Sequence, residues 1–259
     1  MNNSKIKTII IHLSLLLFSL NTHSANIEDS KVKVALVHYP PYTIKNKAQK
    51  HSGIIYDLLK GIDNLTIIFM PPKRAIEEYK RNNIDILFFS DKGAQEIVKK
   101  NSQFLALLQG NTHLIYLKGS GNTGVISKET LKNKSVAVIR GVKEEAEKLQ
   151  LMGMNIIEIE TPEQSLKMVA KGRVDYANMS LLPIKYQLES MKVKEVLAFS
   201  VKPTFQLNVG FFYLNNPAKG VKVVIDKIKD IYLSDEYYST IENYLPSNQK
   251  GSDYLPNKQ

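Results

Sequence analysis

The sequence predicts an α/β protein of two lobes, each a doubly wound βαβ unit. Three observations carry this prediction. Short, β-branched apolar runs alternate with helix-period segments, the pattern of parallel strands covered on both faces by helices. The alternation then restarts, so that a βαβαβ cassette over 32–89 is echoed by a second over 135–179. Each third strand also carries an aspartate near its start, Asp85 in one cassette and Asp175 in the other. About 234 residues remain once a leader is removed, enough for one large domain or two small ones, and the duplication favours two.

The first strand is carried by Val32, Val34, Ala35, Leu36 and Val37, and Pro40 and Pro41 stop it. Ser52 is the expected N-cap of a helix on which Ile54, Ile55, Leu58, Leu59 and Ile62 recur at helical spacing. A strand follows over 65–70, then Pro71 and Pro72 open a helix over 73–81 with Ala75, Ile76 and Tyr79 on one side. Asn82 and Asn83 break it before the third strand, 84–89. A short helix over 94–100 leads to extended chain over 104–117, with a kink expected near Gly110.

The second cassette reads as strand 135–139, a charged helix over 142–151 and strand 155–160. Thr161 and Gln164 stand in capping-box relation, with Pro162 at the favoured first helical position. Gly172 ends that helix before the third strand, 173–179. A helix over 180–191, a strand over 196–199 and extended chain over 205–214 precede two terminal helices. Val221, Val224, Ile225, Ile228 and Tyr232 mark the first of these, Ser234 caps the second, and 246–259 is a polar tail.

Residues 1–25 read as a secretory signal: Lys5 and Lys7, an apolar stretch from Ile9 to Leu20, then Thr22 and Ser24 before Ala25. The chain's net charge of +10 falls to +8 without those two lysines, and its basic groups lack interleaved aromatics or a nucleic-acid motif. The absence of cysteine removes disulfides, thiol nucleophiles, thiolate zinc sites and lipid-modified cysteine together. His38, His51 and His113 are unspaced for a metal, and His38 reads as a packed strand-end residue. Glu144, Glu145 and Glu147 read as the solvated face of a charged helix. The string Gly119-Ser120-Gly121-Asn122-Thr123-Gly124 precedes too short a helix to hold a phosphate and is read as a connection. No nucleophile elbow is present, and no metal, cofactor or catalytic residue is expected.

Ligands of open α/β sheets bind beyond the carboxyl ends of the strands, which selects candidates directly. In the first lobe these are Tyr39 and Tyr42 on a stiff Pro-Pro turn, Arg74 in the first turn of its helix, and Phe89, Ser90 and Lys92 after the third strand. In the second they are Arg140, Gly141 and Val142 at a strand-to-helix turn, with Asn178 and Ser180 after the third strand. Tyr39 or Tyr42 is expected to pack on an apolar face of the ligand, and Arg74 and Arg140 to take polar or anionic groups.

The opening strand, its Tyr-Pro-Pro-Tyr turn and the helix with Gly53, Asp57 and Leu58 resemble the start of family 3 periplasmic solute-binding proteins. Arg140-Gly141 is similar to that family's strand-end turn, Gly172-Arg173-Val174-Asp175 to its Gly-Arg-x-Asp strand start, and Pro72-Lys73-Arg74-Ala75 to a Pro-x-Arg-Ala helix start. The resemblance implies a two-lobe periplasmic-binding-protein fold with crossovers near 118–124 and 200–204. Lobe 1 would then be 26–117 with 205–245, and lobe 2 would be 118–204. It also implies a monomer that closes on a small solute and presents it to a membrane permease or sensor, without nucleic acid. Two departures argue against an ordinary α-amino acid. The family's Thr-x-x-Arg after the first-lobe third strand is absent from 90–97, and Asn178, Met179 and Ser180 stand where its aspartate would be. The alternatives are a dehydratase-like enzyme on the same scaffold, for which Glu160 is the strand-end acid, and a periplasmic sensory subunit.

Overall fold

The computed structural model describes residues 31–46, 48, 50–94, 101–193, 195–232 and 234–245. The leader expected over 1–25 and the tail expected over 246–259 lie outside the described residues, as does all but Ala94 of the helix expected over 94–100.

In chain order the described elements begin with β1 (Val32–Leu36), α1 (Ile54–Leu59), β2 (Leu65–Phe69), α2 (Pro72–Lys80) and β3 (Ile86–Ser90). Then come β4 (Ser102–Leu117), α3 (Lys128–Leu131), β5 (Ser135–Ile139), α4 (Lys143–Leu151), β6 (Asn155–Ile159), α5 (Pro162–Ala170) and β7 (Tyr176–Ser180). The last group is α6 (Leu181–Ser190), β8 (Leu197–Phe199), β9 (Phe205–Leu214), α7 (Lys219–Tyr232) and α8 (Asp235–Glu242).

The duplication expected from the sequence is present in the pairing. In the first cassette β1 lies between its parallel partners β2 and β3, and in the second β5 lies between β6 and β7. Asp85 and Asp175 occupy equivalent places, each one residue before its third strand. The Asp85 carboxylate accepts from Lys33 N at 2.8 Å, and the Asp175 carboxylate accepts from Ser135 N at 2.9 Å and Ser135 Oγ at 2.8 Å. Each aspartate therefore ties the third strand of its cassette to the start of the first through charge-assisted hydrogen bonds.

Two long antiparallel strands join the cassettes. β3 pairs with β9, β7 pairs with β4, and β4 and β9 pair with each other from Ser102 opposite Leu214 to Thr112 opposite Phe205. The result is one sheet path, β2-β1-β3-β9-β4-β7-β5-β6, with β8 on β4. This two-lobe α/β arrangement is the fold class expected from the sequence. β4 also departs from expectation: its irregularity falls between Ala106 and Leu108, as a register shift, and Gly110 continues the ladder opposite Leu207.

Helices bury the apolar stripe that their sequence presents. On α7, Val221, Val224, Ile225 and Ile228 are buried while the lysines between them face water. Each such side chain contributes roughly 1.5–3 kcal/mol relative to exposure. With α1 and α8, α7 covers one face of the β1–β3–β9 region, whereas α5 and α6 pack on β4 and β7. A further apolar cluster runs from Ala35, Ala75 and Leu87 through Phe212 to Val136, Val138 and Leu149, spanning both cassettes.

Gly53, not Ser52, takes the N-cap position of α1. The reason is steric, because its φ is +112° and a Cβ there would stand 2.7 Å from the Tyr42 carbonyl oxygen. The α1 entry is clamped further: Gly53 N donates to Tyr244 Oη at 2.8 Å, and that hydroxyl donates to Asp57.

Candidate functional site

The carboxyl ends of both cassettes converge on one cavity of about 80 Å³, roofed and walled by residues that follow strands. Val37, Tyr39 and Tyr42 come from the segment after β1, Pro72 from the start of α2, and Phe88, Phe89 and Ser90 from the end of β3. Across from them stand Ile139, Val142 and Glu145 from the β5–α4 turn and α4, with Asn178 and Ser180 of β7. Thr112 of β4 and Leu207 and Val209 of β9 supply the floor.

Tyr39 and Tyr42 stack with ring centroids 5.9 Å apart, and Tyr42 meets Phe88 edge-on at 6.4 Å. Tyr42 is fully buried, which fixes the pair as a rigid aromatic wall. The Tyr39 hydroxyl reaches across to the second cassette, where Ser180 N lies 3.5 Å away. His38 crosses nearby: its Nδ1 accepts from Lys45 N at 3.0 Å, leaving Nε2 to donate to Glu163 at 3.1 Å. His38 is thus a bridge between cassettes rather than only a packed strand-end residue. Burial pushes the Glu163 carboxyl up, but the His38 hydrogen bond, its own backbone N–H and Thr161 outweigh this and leave it below the usual range. The third approach is at Gly141, whose φ of +95° lets it pass so close to Lys73 that a Cβ would lie 3.3 Å from the Lys73 Cα.

The polar side of the cavity is a directed chain of hydrogen bonds. Thr112 and Thr204 hydroxyls lie 2.6 Å apart, Thr204 Oγ1 donates to Asn178 Oδ1 at 2.8 Å, and Asn178 Nδ2 donates to Glu145 Oε2 at 2.9 Å. Both ends of the Asn178 amide are thereby fixed, and its donors are turned toward the carboxylate. Glu145 is 8% exposed. Its burial pushes the carboxyl up to about 7, against the Asn178 hydrogen bond, with Glu144 and Asp91 adding repulsion and Lys148 opposing it. Burial, followed by the charge of Glu145, raises the Tyr39 phenol as well.

Seven of the residues selected from the sequence therefore line this cavity: Tyr39, Tyr42, Phe89, Ser90, Val142, Asn178 and Ser180. Arg74, Lys92, Arg140 and Gly141 do not. Arg74 and Arg140 border a surface groove with His38 and Glu160, while Lys92 and Gly141 lie in a neighbouring groove with Lys73 and Lys143. Arg140 is engaged elsewhere, pairing with Glu158 at 3.2 Å and with Glu160. Glu160 is consequently an exposed ion-pair partner rather than a cavity acid. The expectation that 144, 145 and 147 form a solvated face fails at Glu145, because Val142, Glu145 and Leu149 form the inward stripe of α4 at spacings of three and four. That spacing is legible in the sequence once Gly141 is taken as the turn. Among the described residues no group of three or more His, Asp or Glu gathers in a way that would hold a metal ion.

No family model matches the chain, and no curated protein matches it in sequence. Solved structures match in fold. The P235GK mutant of ArgBP from T. maritima superposes with a TM-score of 0.70 at 17% identity, over 84% of this chain and 96% of that one. The cysteine-binding protein from Campylobacter jejuni gives 0.69 at 13% identity, over 89% and 97%. The periplasmic VFT2 domain of BvgS from Bordetella pertussis gives 0.65 at 16% identity, over 85% and 95%. These likenesses show a fold shared with binding proteins.

Proposed function

We propose that this chain is a periplasmic solute-binding protein that encloses a small solute between two lobes and has no catalytic task. The observation that carries the reading is the cavity itself, closed by strand-end residues from both cassettes and floored by the two strands that connect them. Its shape neighbours include proteins named for binding arginine and cysteine, which supports solute capture over chemistry. The contacts His38–Glu163, Tyr39–Ser180 and Gly141–Lys73 each span the cassettes. A solute that touches both walls favours the state in which these contacts are made, and so shifts the population toward closure.

In this reading residues 1–25 direct export, 26–117 with 205–245 form the first lobe, 118–204 form the second, and the closed monomer is read by a membrane permease or sensor. Reading by a sensor and reading by a permease rest on the same ligand-driven closure. A thermal-shift screen across amino acids, organic acids, polyamines and sugars tests the binding step. A true ligand at a hundred times its Kd stabilises the fold by about 2.7 kcal/mol and is recovered unchanged. A folded chain that no class stabilises contradicts the reading, and a compound that is consumed replaces it with the enzyme.

A further inference from the structure

Resting on the solute-binding reading above, we propose that the cavity selects a primary amine or similar compact cation on an apolar body and rejects carboxylates and zwitterionic amino acids. Glu145 is the specificity-determining residue. Three observations converge on this class. Among the described residues lining the cavity there is one carboxylate, Glu145, and no lysine, arginine or histidine. The guanidinium groups that would have served an anion do not line it: Arg74 and Arg140 lie in an adjoining groove that shares Val37 and Pro72 with the cavity, and Arg140 is paired with Glu158 and Glu160. Glu145 itself takes a single hydrogen bond among the described residues, from Asn178 to Oε2, and faces no cation within ion-pair distance.

A carboxylate accommodates about four hydrogen-bond donors when ionised, and a buried one is costly unless they are supplied. The protein supplies one, from a side chain whose orientation Thr204 and Thr112 lock. The unused capacity of Glu145, in a cavity whose lining includes the apolar Val37, Phe88, Phe89, Val142, Leu207 and Val209, is met by an N–H-rich cation carrying an apolar body. The stacked Tyr39 and Tyr42 rings suit the same charge, since aromatic faces attract cations. A ligand carboxylate entering this space meets like charge with no counter-ion, so a zwitterion gains at one end and loses at the other.

Calorimetric titration of the purified chain at pH 8 tests this with butylamine, benzylamine, putrescine and guanidine, against butyrate, benzoate, benzyl alcohol, norleucine and phenylalanine. The proposal expects binding confined to the cations, and a loss of at least tenfold in affinity for the best of them in Glu145→Gln, with the melting transition retained. Asn178→Ala, which removes the orienting donor, serves as a second variant and should also alter cation affinity. Binding of carboxylates, zwitterions or the alcohol as tightly as the amines overturns the proposal while leaving solute binding intact. Equal cation affinity in wild type and Glu145→Gln overturns it as well. Silence of these probes, with stabilisation by another class in the wider screen, overturns the amine assignment alone; silence in both overturns it together with the solute-binding reading.

Discussion

Replacing Glu145 by glutamine should stabilise the empty protein at alkaline pH, although it removes a group that binds ligand. The carboxyl rises from 4.5 in the unfolded chain to about 7 in the fold, chiefly through burial. Because the folded state holds this proton more tightly, the contribution of Glu145 to stability is most favourable below about pH 4.5. It declines as pH rises toward 7 and is fully unfavourable above that. At about 1.36 kcal/mol per unit the ionised side chain costs roughly 3 kcal/mol at pH 8. Glutamine has the same shape, keeps an oxygen for the Asn178 donor and carries no charge to desolvate. The variant should therefore melt roughly 6–12 °C higher at pH 8 and close to wild type at pH 5, taking about 2–4 °C per kcal/mol for a chain of this size. Glu145 is the carboxyl that the substitution removes, so the difference between the two melting curves against pH isolates its contribution. Circular dichroism melts of both proteins from pH 5 to 8 provide the assay. Parallel curves would refute the buried, uncompensated carboxylate.

Four further outcomes follow from particular contacts. Affinity for a cationic ligand should fall about tenfold per unit as pH drops below about 7, because protonated Glu145 no longer attracts it; a flat titration profile contradicts this. Gly53→Ala should lose about 3 kcal/mol in denaturant unfolding, since φ +112° and the Tyr42 oxygen leave no room for Cβ. Asp175→Ala should cost about 2 kcal/mol through the lost Ser135 hydrogen bonds. Burial pushes that carboxyl up, but the Ser135 bonds and Lys134 hold it below 3.8, so its stabilisation is present above pH 3.8 and vanishes as acid protonates the folded form. Glu163→Gln should weaken the partly buried His38 bridge by about 1 kcal/mol, seen as roughly fivefold weaker ligand binding with unchanged melting of the empty chain.

Much of this architecture is written in local pattern. β-branched runs and helical spacing place both cassettes, and the equivalent Asp85 and Asp175 announce the duplication because each performs the same tie to a first strand. The rule that ligands sit beyond strand ends recovered seven lining residues, including both tyrosines and Asn178. It also selected Arg74, Lys92, Arg140 and Gly141, which lie in the neighbouring grooves, because position beyond a strand does not set a side chain's direction. Arg74 and Arg140 do follow strands, yet Arg74 is exposed along a groove and Arg140 runs to acids on the neighbouring strand, β6, and just past its end. Glu145 reads as solvated because Lys143, Glu144, Glu147 and Lys148 surround it in sequence, whereas its inward stripe is set by the turn at Gly141. The floor residues Thr112, Leu207 and Val209 belong to long antiparallel strands, whose pairing partners lie about a hundred residues apart and leave no local trace.

Closure on a ligand is the claim on which the account turns, and the lack of native cysteine makes it directly measurable. Spin labels on Asp63→Cys and Lys171→Cys, both solvent-facing and on opposite cassettes, report the separation of the lobes by double electron–electron resonance. Saturating ligand should shift the distance distribution to one shorter, narrower peak, and Glu145→Gln should not respond to the same concentration. An identical distribution with and without bound ligand would contradict capture between moving lobes.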